Sequence, residues 1–152
     1  MLSVALLASC QSIDQNLPAD WAMQGTMIIR TPAQAERVNI AWRQFQGESE
    51  IILTGPLGAS LARISAVDGG YRLERPGEAD LSAPDLESLV ALAVGLQLPV
   101  AAVVPILSGD QRRAESGSWR LNTVKVDDTG RAERIEIQGP EASIRLSIRS
   151  WR

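Results

Sequence analysis

The chain has 152 residues, room for one domain with one real core, and a formal net charge of −3. It has no histidine and one cysteine. Those absences remove histidine base catalysis, the commonest metal ligand, any internal disulfide and any paired-cysteine metal site, and the acidic balance leaves no footprint for nucleic acid.

In chain order, a short apolar run from Leu2 to Leu7 leads into Leu7-Ala8-Ser9-Cys10. Small residues ahead of a cysteine have the shape of a bacterial lipobox, where a signal peptidase cuts just before the cysteine and the new N-terminus is acylated. The polar stretch Gln11-Ser12-Ile13-Asp14-Gln15-Asn16 reads as a linker. A lone free thiol is awkward in an exported protein unless it is modified. The other reading is a buried N-terminal segment with an incidental cysteine. The run is short for a secretory signal and has no basic residues, the first being Arg30. The expected division is a signal peptide, truncated, over residues 1–9; lipidated Cys10 and a linker over 10–20; and a single domain over 21–152.

Strands follow. Trp21 to Arg30 places Trp21, Met23, Met27 and Ile29 on one face, and Arg37 to Gln46 sets Val38, Ile40 and Trp42 against Asn39 and Arg43. Gly47-Glu48 reads as a turn into Ser49 to Thr54. Ser60 to Val67 reaches the hairpin signal Asp68-Gly69, followed by Tyr71 and Leu73. Connections this short join antiparallel neighbours. Pro84, Asp85 and Glu87 mark a helix start, and Leu86, Leu89, Val90 and Ala93 form a helical stripe up to Gly95. Leu98-Pro99 opens a second apolar segment to Leu107, closed by Gly109. Glu87, Gly95, Gln97, Pro99 and Pro105 argue against one membrane span here. Residues 109–117 are polar and read as an exposed loop. Strands resume at Trp119 to Val126, turn at Asp127-Asp128-Thr129-Gly130, and run from Arg131 to Gln138. The last strand is expected to turn Ile144, Leu146 and Ile148 inward and Arg145, Ser147 and Arg149 outward.

Strands, then helices, then strands predict a mainly β (α+β) domain, one antiparallel sheet with helices on a single face. A strongly curved sheet with helices in its mouth would enclose an apolar hollow. Periodicity cannot tell that hollow from a filled core, and taken alone it favours the filled core. The loop Thr54-Gly55-Pro56-Leu57-Gly58 puts a leucine on a surface connection. Turn chemistry leaves two readings open: Leu57 folds back onto the hairpin, or it is an apolar finger aimed at lipid.

Trp42-Arg43-Gln44, Leu53-Thr54-Gly55-Pro56-Leu57-Gly58, Asp85-Leu86-Glu87-Ser88-Leu89 and Gly95-Leu96-Gln97-Leu98-Pro99-Val100, with Gly109 and a final strand ending in Trp151, resemble the LolB family. The likeness covers residues 21–110 well and the final strand moderately. The linker of residues 11–20 is shorter than the family's usual segment, and Ile106 stands where the family usually has a tryptophan. The C-terminal part is also shorter than usual.

The resemblance implies an outer-membrane lipoprotein facing the periplasm. It would accept acylated lipoproteins from a LolA-like periplasmic carrier and insert them into the outer membrane. It implies a curved antiparallel sheet forming an unclosed half-barrel, with short helices covering its concave apolar face. Cys10 would be the lipidation site and Pro56, Leu57 and Gly58 the membrane insertion loop, with Leu57 protruding. Met23, Met27, Ile40, Trp42, Leu53, Leu89, Ile144 and Leu146 are the candidates to line the acyl-chain cavity, although each also suits an ordinary core position. No cofactor, metal or nucleic-acid partner is expected, and a monomer is. The alternative is a structural or generic lipid-binding outer-membrane lipoprotein without transfer activity. An enzyme is disfavoured, because the acidic groupings Asp127-Asp128 and Glu48/Glu50 sit at turns or strand edges. A soluble carrier of the same fold type is disfavoured by Cys10 and the Pro-Leu-Gly loop.

Overall fold

In a computed structural model that describes residues 20–152, the chain runs through six strands, two helices and four strands. These are β1 (Trp21–Arg30), β2 (Ala35–Phe45), β3 (Glu48–Thr54), β4 (Ser60–Val67), β5 (Gly70–Glu74) and β6 (Leu81–Ala83). Then come α1 (Leu86–Val94), α2 (Val100–Leu107), β7 (Arg113–Ser116), β8 (Trp119–Val126), β9 (Ala132–Gln138) and β10 (Ser143–Trp151). All ten strands form one antiparallel sheet in the order β6-β5-β4-β3-β2-β1-β10-β9-β8-β7. The first and last strands meet in its middle. The outermost strands, β6 and β7, do not pair, so the curved sheet stays unclosed.

Register gathers the apolar side chains on one face. Ile64, Ile51, Trp42 and Met23 stand in one row, paired strand to strand. Met27, Leu146 and Ile135 make another, and Ile29, Ile144, Ile137 and Leu121 a third. Because side chains alternate along a strand, this single register turns Arg43, Arg63 and Arg145 to the outer face. The inner face is covered by α1 over β5 and β6 and by α2 over β7 and β8. Leu89 of α1 and Ile135 of β9 are fully shielded from water. No described helix is long and apolar enough to cross a membrane.

Local chemistry sets the helix ends. The Asp85 carboxylate caps α1, accepting from the Ser88 backbone N–H at 2.8 Å and the Ser88 hydroxyl at 2.9 Å. Those bonds, the backbone one foremost, hold its carboxyl below the ordinary aspartate value. Gly95 ends the helix in the left-handed conformation.

Three local readings change. The first turn is Gln46-Gly47, not Gly47-Glu48, because Glu48 already pairs with Phe45. Both turn residues have positive φ, as a two-residue hairpin turn of this type requires. The stretch expected as a loop over residues 109–117 contains β7, in which Ala114 pairs with Leu121. Leu81-Ser82-Ala83 is a further strand, pairing with β5. Both of these are edge strands of three or four residues, too short to show alternation. Short edges also limit pairing with other chains.

The junction of β1 and β10 depends on Gly25. The register slips there by one residue, and a Cβ on Gly25 would run into the Ser147 carbonyl oxygen. Gly25→Ala is expected to cost about 1–3 kcal/mol in urea unfolding. Gly55→Ala, where the nearest atom is 3.8 Å away, should stay within about 0.5 kcal/mol of wild type.

Candidate functional site

The sequence singled out two features, a loop at one rim of the sheet and the apolar inner face. The first is the loop between β3 and β4. Pro56 presets the backbone angle for the first corner of a turn, and Gly58, at φ 83°, takes the left-handed position that follows. The Gly58 N–H donates to the Gly55 carbonyl at 3.0 Å, and the Gly55 N–H donates to the Ala59 carbonyl at 2.8 Å. Asn39 of β2 steadies the loop by donating its amide to the Gly55 carbonyl at 3.2 Å. On this pinned turn Leu57 is 99% exposed. It does not fold back on the hairpin. Leu61, at the start of β4, is also exposed.

The second feature is the inner face. All eight cavity candidates belong to one apolar cluster. Met23, Ile40, Trp42, Leu89, Ile144 and Leu146 are buried in it, and Met27 and Leu53 pack against it half-buried. Pairing places Met27 beside Val38, one residue from the Asn39–Thr54 pair at the end of β3. The more open part of the apolar face therefore lies toward the rim that carries Leu57. A cavity of about 400 Å³ opens at this rim between the α1–α2 connection and the β9–β10 loop. A second, of about 350 Å³, opens at the opposite rim beside Trp21 and Ser108. None of Ile40, Leu89, Ile144 and Leu146 lines either one.

Sequence reading missed the polar and aromatic framework behind this face. The Trp42 indole N–H donates to the Ser49 hydroxyl at 3.1 Å, which donates to Gln44 Oε1 at 2.6 Å. The Tyr71 hydroxyl accepts from the Ser49 backbone N–H at 3.1 Å. Trp21 packs 5.9 Å from Trp42 and 5.9 Å, edge-on, from Trp151, whose ring carries the Arg131 guanidinium at 5.7 Å. The signal available was the tryptophans themselves, because a buried indole N–H nearly always finds an acceptor.

Within the acidic groupings, Asp127 and Glu50 have structural partners. Asp127 accepts from the Thr129 N–H and hydroxyl and from the Arg131 N–H, at 2.7–2.9 Å. The Thr129 hydroxyl is the main cause of its lowered pKa. Glu50 bridges Arg43 and Arg63 on the outer face at 3.2 and 3.5 Å. Among the described residues, no three His, Cys, Asp or Glu side chains gather as a metal site would need. Cys10 lies outside the described residues.

Comparison with known proteins gives a consistent answer. A family model described as outer membrane lipoprotein LolB matches residues 19–151. The outer-membrane lipoprotein LolB of Thiobacillus denitrificans is 28% identical over 147 aligned residues, covering 86% of this chain and 79% of that protein. The proteins of the same name from Pseudomonas paraeruginosa and Pseudomonas syringae pv. syringae are 27% and 29% identical, each covering 86% of this chain and 73% of the relative.

Proposed function

The chain belongs to the LolB family of outer-membrane lipoproteins, and on that premise we propose that it accepts acylated lipoproteins from a LolA-like periplasmic carrier and inserts them into the outer membrane. Membership places it at the outer membrane, in a lipoprotein-localisation family rather than an enzyme family. The transfer step, the carrier and the roles of individual residues are our reading.

The observation that carries this reading is Leu57, 99% exposed on a turn that three hydrogen bonds hold in place. Burying a leucine is worth about 1.5–3 kcal/mol, and the fold forgoes that gain at this position. A bilayer supplies it. Insertion of Leu57 would raise the membrane-engaged population roughly ten- to a hundredfold. The chains being moved cost about 0.8 kcal/mol per methylene left in water. The apolar inner face would shelter them, with Met27 and Leu53 at its more open end and methionine giving an adaptable lining. Handover needs no nucleotide if affinity falls step by step from carrier to protein to membrane.

Cys10 would carry the anchor. Trp21 begins β1 at the rim away from Leu57, and residues 11–20 can reach at most about 33–36 Å. That matches the length of the ten-residue strand β1, about 33 Å. Anchor and loop can therefore occupy one leaflet with the domain lying alongside it. A generic lipoprotein without transfer activity is the competing reading, and the burial of Ile40, Leu89 and Ile144 favours it.

Two measurements test the proposal. In fractionated cells, Cys10→Ala should leave the membrane fraction for the soluble one, since stable anchoring takes at least two membrane-binding signals; retention as in wild type would refute the anchor. Leu57→Glu should melt like wild type and still take a lipoprotein from its carrier, yet deliver it to liposomes about tenfold or more slowly, because a carboxylate enters hydrocarbon at high cost. Unchanged delivery by that folded variant would remove the loop from the mechanism.

A further inference from the structure

Charge is divided between the two sides of the sheet. The three strands at its middle, β1, β2 and β10, carry five arginines, Arg30, Arg37, Arg43, Arg145 and Arg149, and one carboxylate, Glu36. Alternation turns Arg30, Arg37, Arg43 and Arg145 to the outer face. Arg149 sits where β10 slips against β1 and joins them, donating to the hydroxyl of Thr26 at 3.2 Å. Glu36 belongs to the opposite set, beside Ile29. The helical cover is the reverse. Residues 76–111, which hold β6, α1 and α2, contain Glu78, Asp80, Asp85, Glu87 and Asp110 and no lysine or arginine. In a chain whose net charge is −3, the outer middle of the sheet is a basic patch.

The patch reaches the loop that carries Leu57. Ile28 stands between Arg37 and Arg145 in one row, which sets those two arginines two strand spacings apart, about 10 Å. Arg30 ends β1, two residues further toward the same rim. Asn39, which bonds the loop at the Gly55 carbonyl, is two residues from Arg37 on the same face of β2, so Arg37 flanks the loop. Arg145 is held by Glu136 at 3.3 Å and Arg43 by Glu50 at 3.2 Å. Arg30 and Arg37 are exposed and make no ion pair among the described residues. The uncompensated charge therefore includes the pair nearest the loop.

We propose that this arginine-bearing outer face is a docking surface for the phosphates of anionic phospholipids, and that it turns the helix-covered face away from the leaflet. A guanidinium matches a phosphate in charge and in geometry. The carboxylates of the cover are repelled by the same leaflet, so both signs favour one orientation. The orientation rests on the placement above of anchor and Leu57 on one leaflet. β1 spans the distance between them, and its outer face is the side without helices. Leu57 supplies apolar contact with no preference for lipid charge, and the arginines supply that preference.

Vesicle co-sedimentation at low ionic strength reads the surface, using the Cys10→Ala chain so that no acyl anchor contributes. Vesicles of phosphatidylcholine and phosphatidylglycerol in equal parts should bind about tenfold or more tighter than phosphatidylcholine alone, and added salt should remove the difference. Arg30→Gln with Arg37→Gln should remove most of it in a protein that melts like the parent. Arg72→Gln with Arg113→Gln changes the net charge equally at two exposed positions toward the sheet edges, and should leave the preference in place. Equal binding to both vesicles, an unmoved preference in the folded Arg30 and Arg37 variant, or an equal loss in the edge variant would each overturn the proposal. So would self-association at low salt that disappears in the Arg30 and Arg37 variant while vesicle binding persists, because the face would then belong to a second copy. Leu57→Ser separates the loop from the arginines. It should weaken binding to both vesicles by one factor. If it weakens neither while the preference for phosphatidylglycerol stands, the insertion reading falls and the docking surface does not.

Discussion

Everything in this molecule follows from a sheet whose outermost strands never pair. The chain's first and last strands meet side by side, β1 against β10, which pushes β6 and β7 to opposite edges. A ten-stranded sheet with one apolar face and no closure must find a cover that is not sheet. The chain supplies it in the segment between those edges. Residues 88–109 contain no charged side chain, a run that in water would be costly, and the two helices bury Leu89, Val103, Ile106 and Leu107. Cover and sheet each depend on the other for burial.

That dependence is one of apolar area, which has no direction. Leu89 of α1 is fully buried against the sheet, with Leu86, Val90 and Ala93 packed beside it. Directional bonds are placed elsewhere. The Gln44–Ser49–Trp42 chain ties β2 to β3, Trp119 bonds to Gln97 in the α1–α2 connection, and Trp21 bonds to Ser108 at the end of α2. Leu57 represents the same physics outside the fold. It is an apolar side chain held away from every partner the chain could offer, on a loop too tightly bonded to fold it back.

Much of the architecture was legible because it is local. Alternation marked the long strands, Asp85 and Gly95 bounded α1, and the inward set Ile144, Leu146 and Ile148 lies where period two places it. The Leu-Pro-Val start of the second helix and the Pro-Leu-Gly loop carried the family resemblance. The sequence was silent where structure depends on distant partners. Four residues of β7 have no pattern of their own and become a strand only because β8 is beside them. Nothing near Trp21 announces Ser108, its hydrogen-bond partner 87 residues away. The exposure of Leu57 was also undecided by composition, since the same turn residues serve a loop that folds back and one that projects. The bonds from Asn39 and Ala59 decide it.

The claim at the centre is that the apolar face is a binding surface as well as a core. Titration of the purified protein with a fluorescent fatty-acyl probe reads it most directly, comparing wild type with Met27→Arg and Leu53→Arg. Both positions are half-buried at the more open end of the face, so a charge there should be tolerated by the fold and not by an acyl chain. Saturable binding by wild type, lost or at least about tenfold weaker in variants that melt near wild type, is expected. Equal binding in the folded arginine variants, or no saturable binding by wild type, would show instead that the face is a core and nothing more.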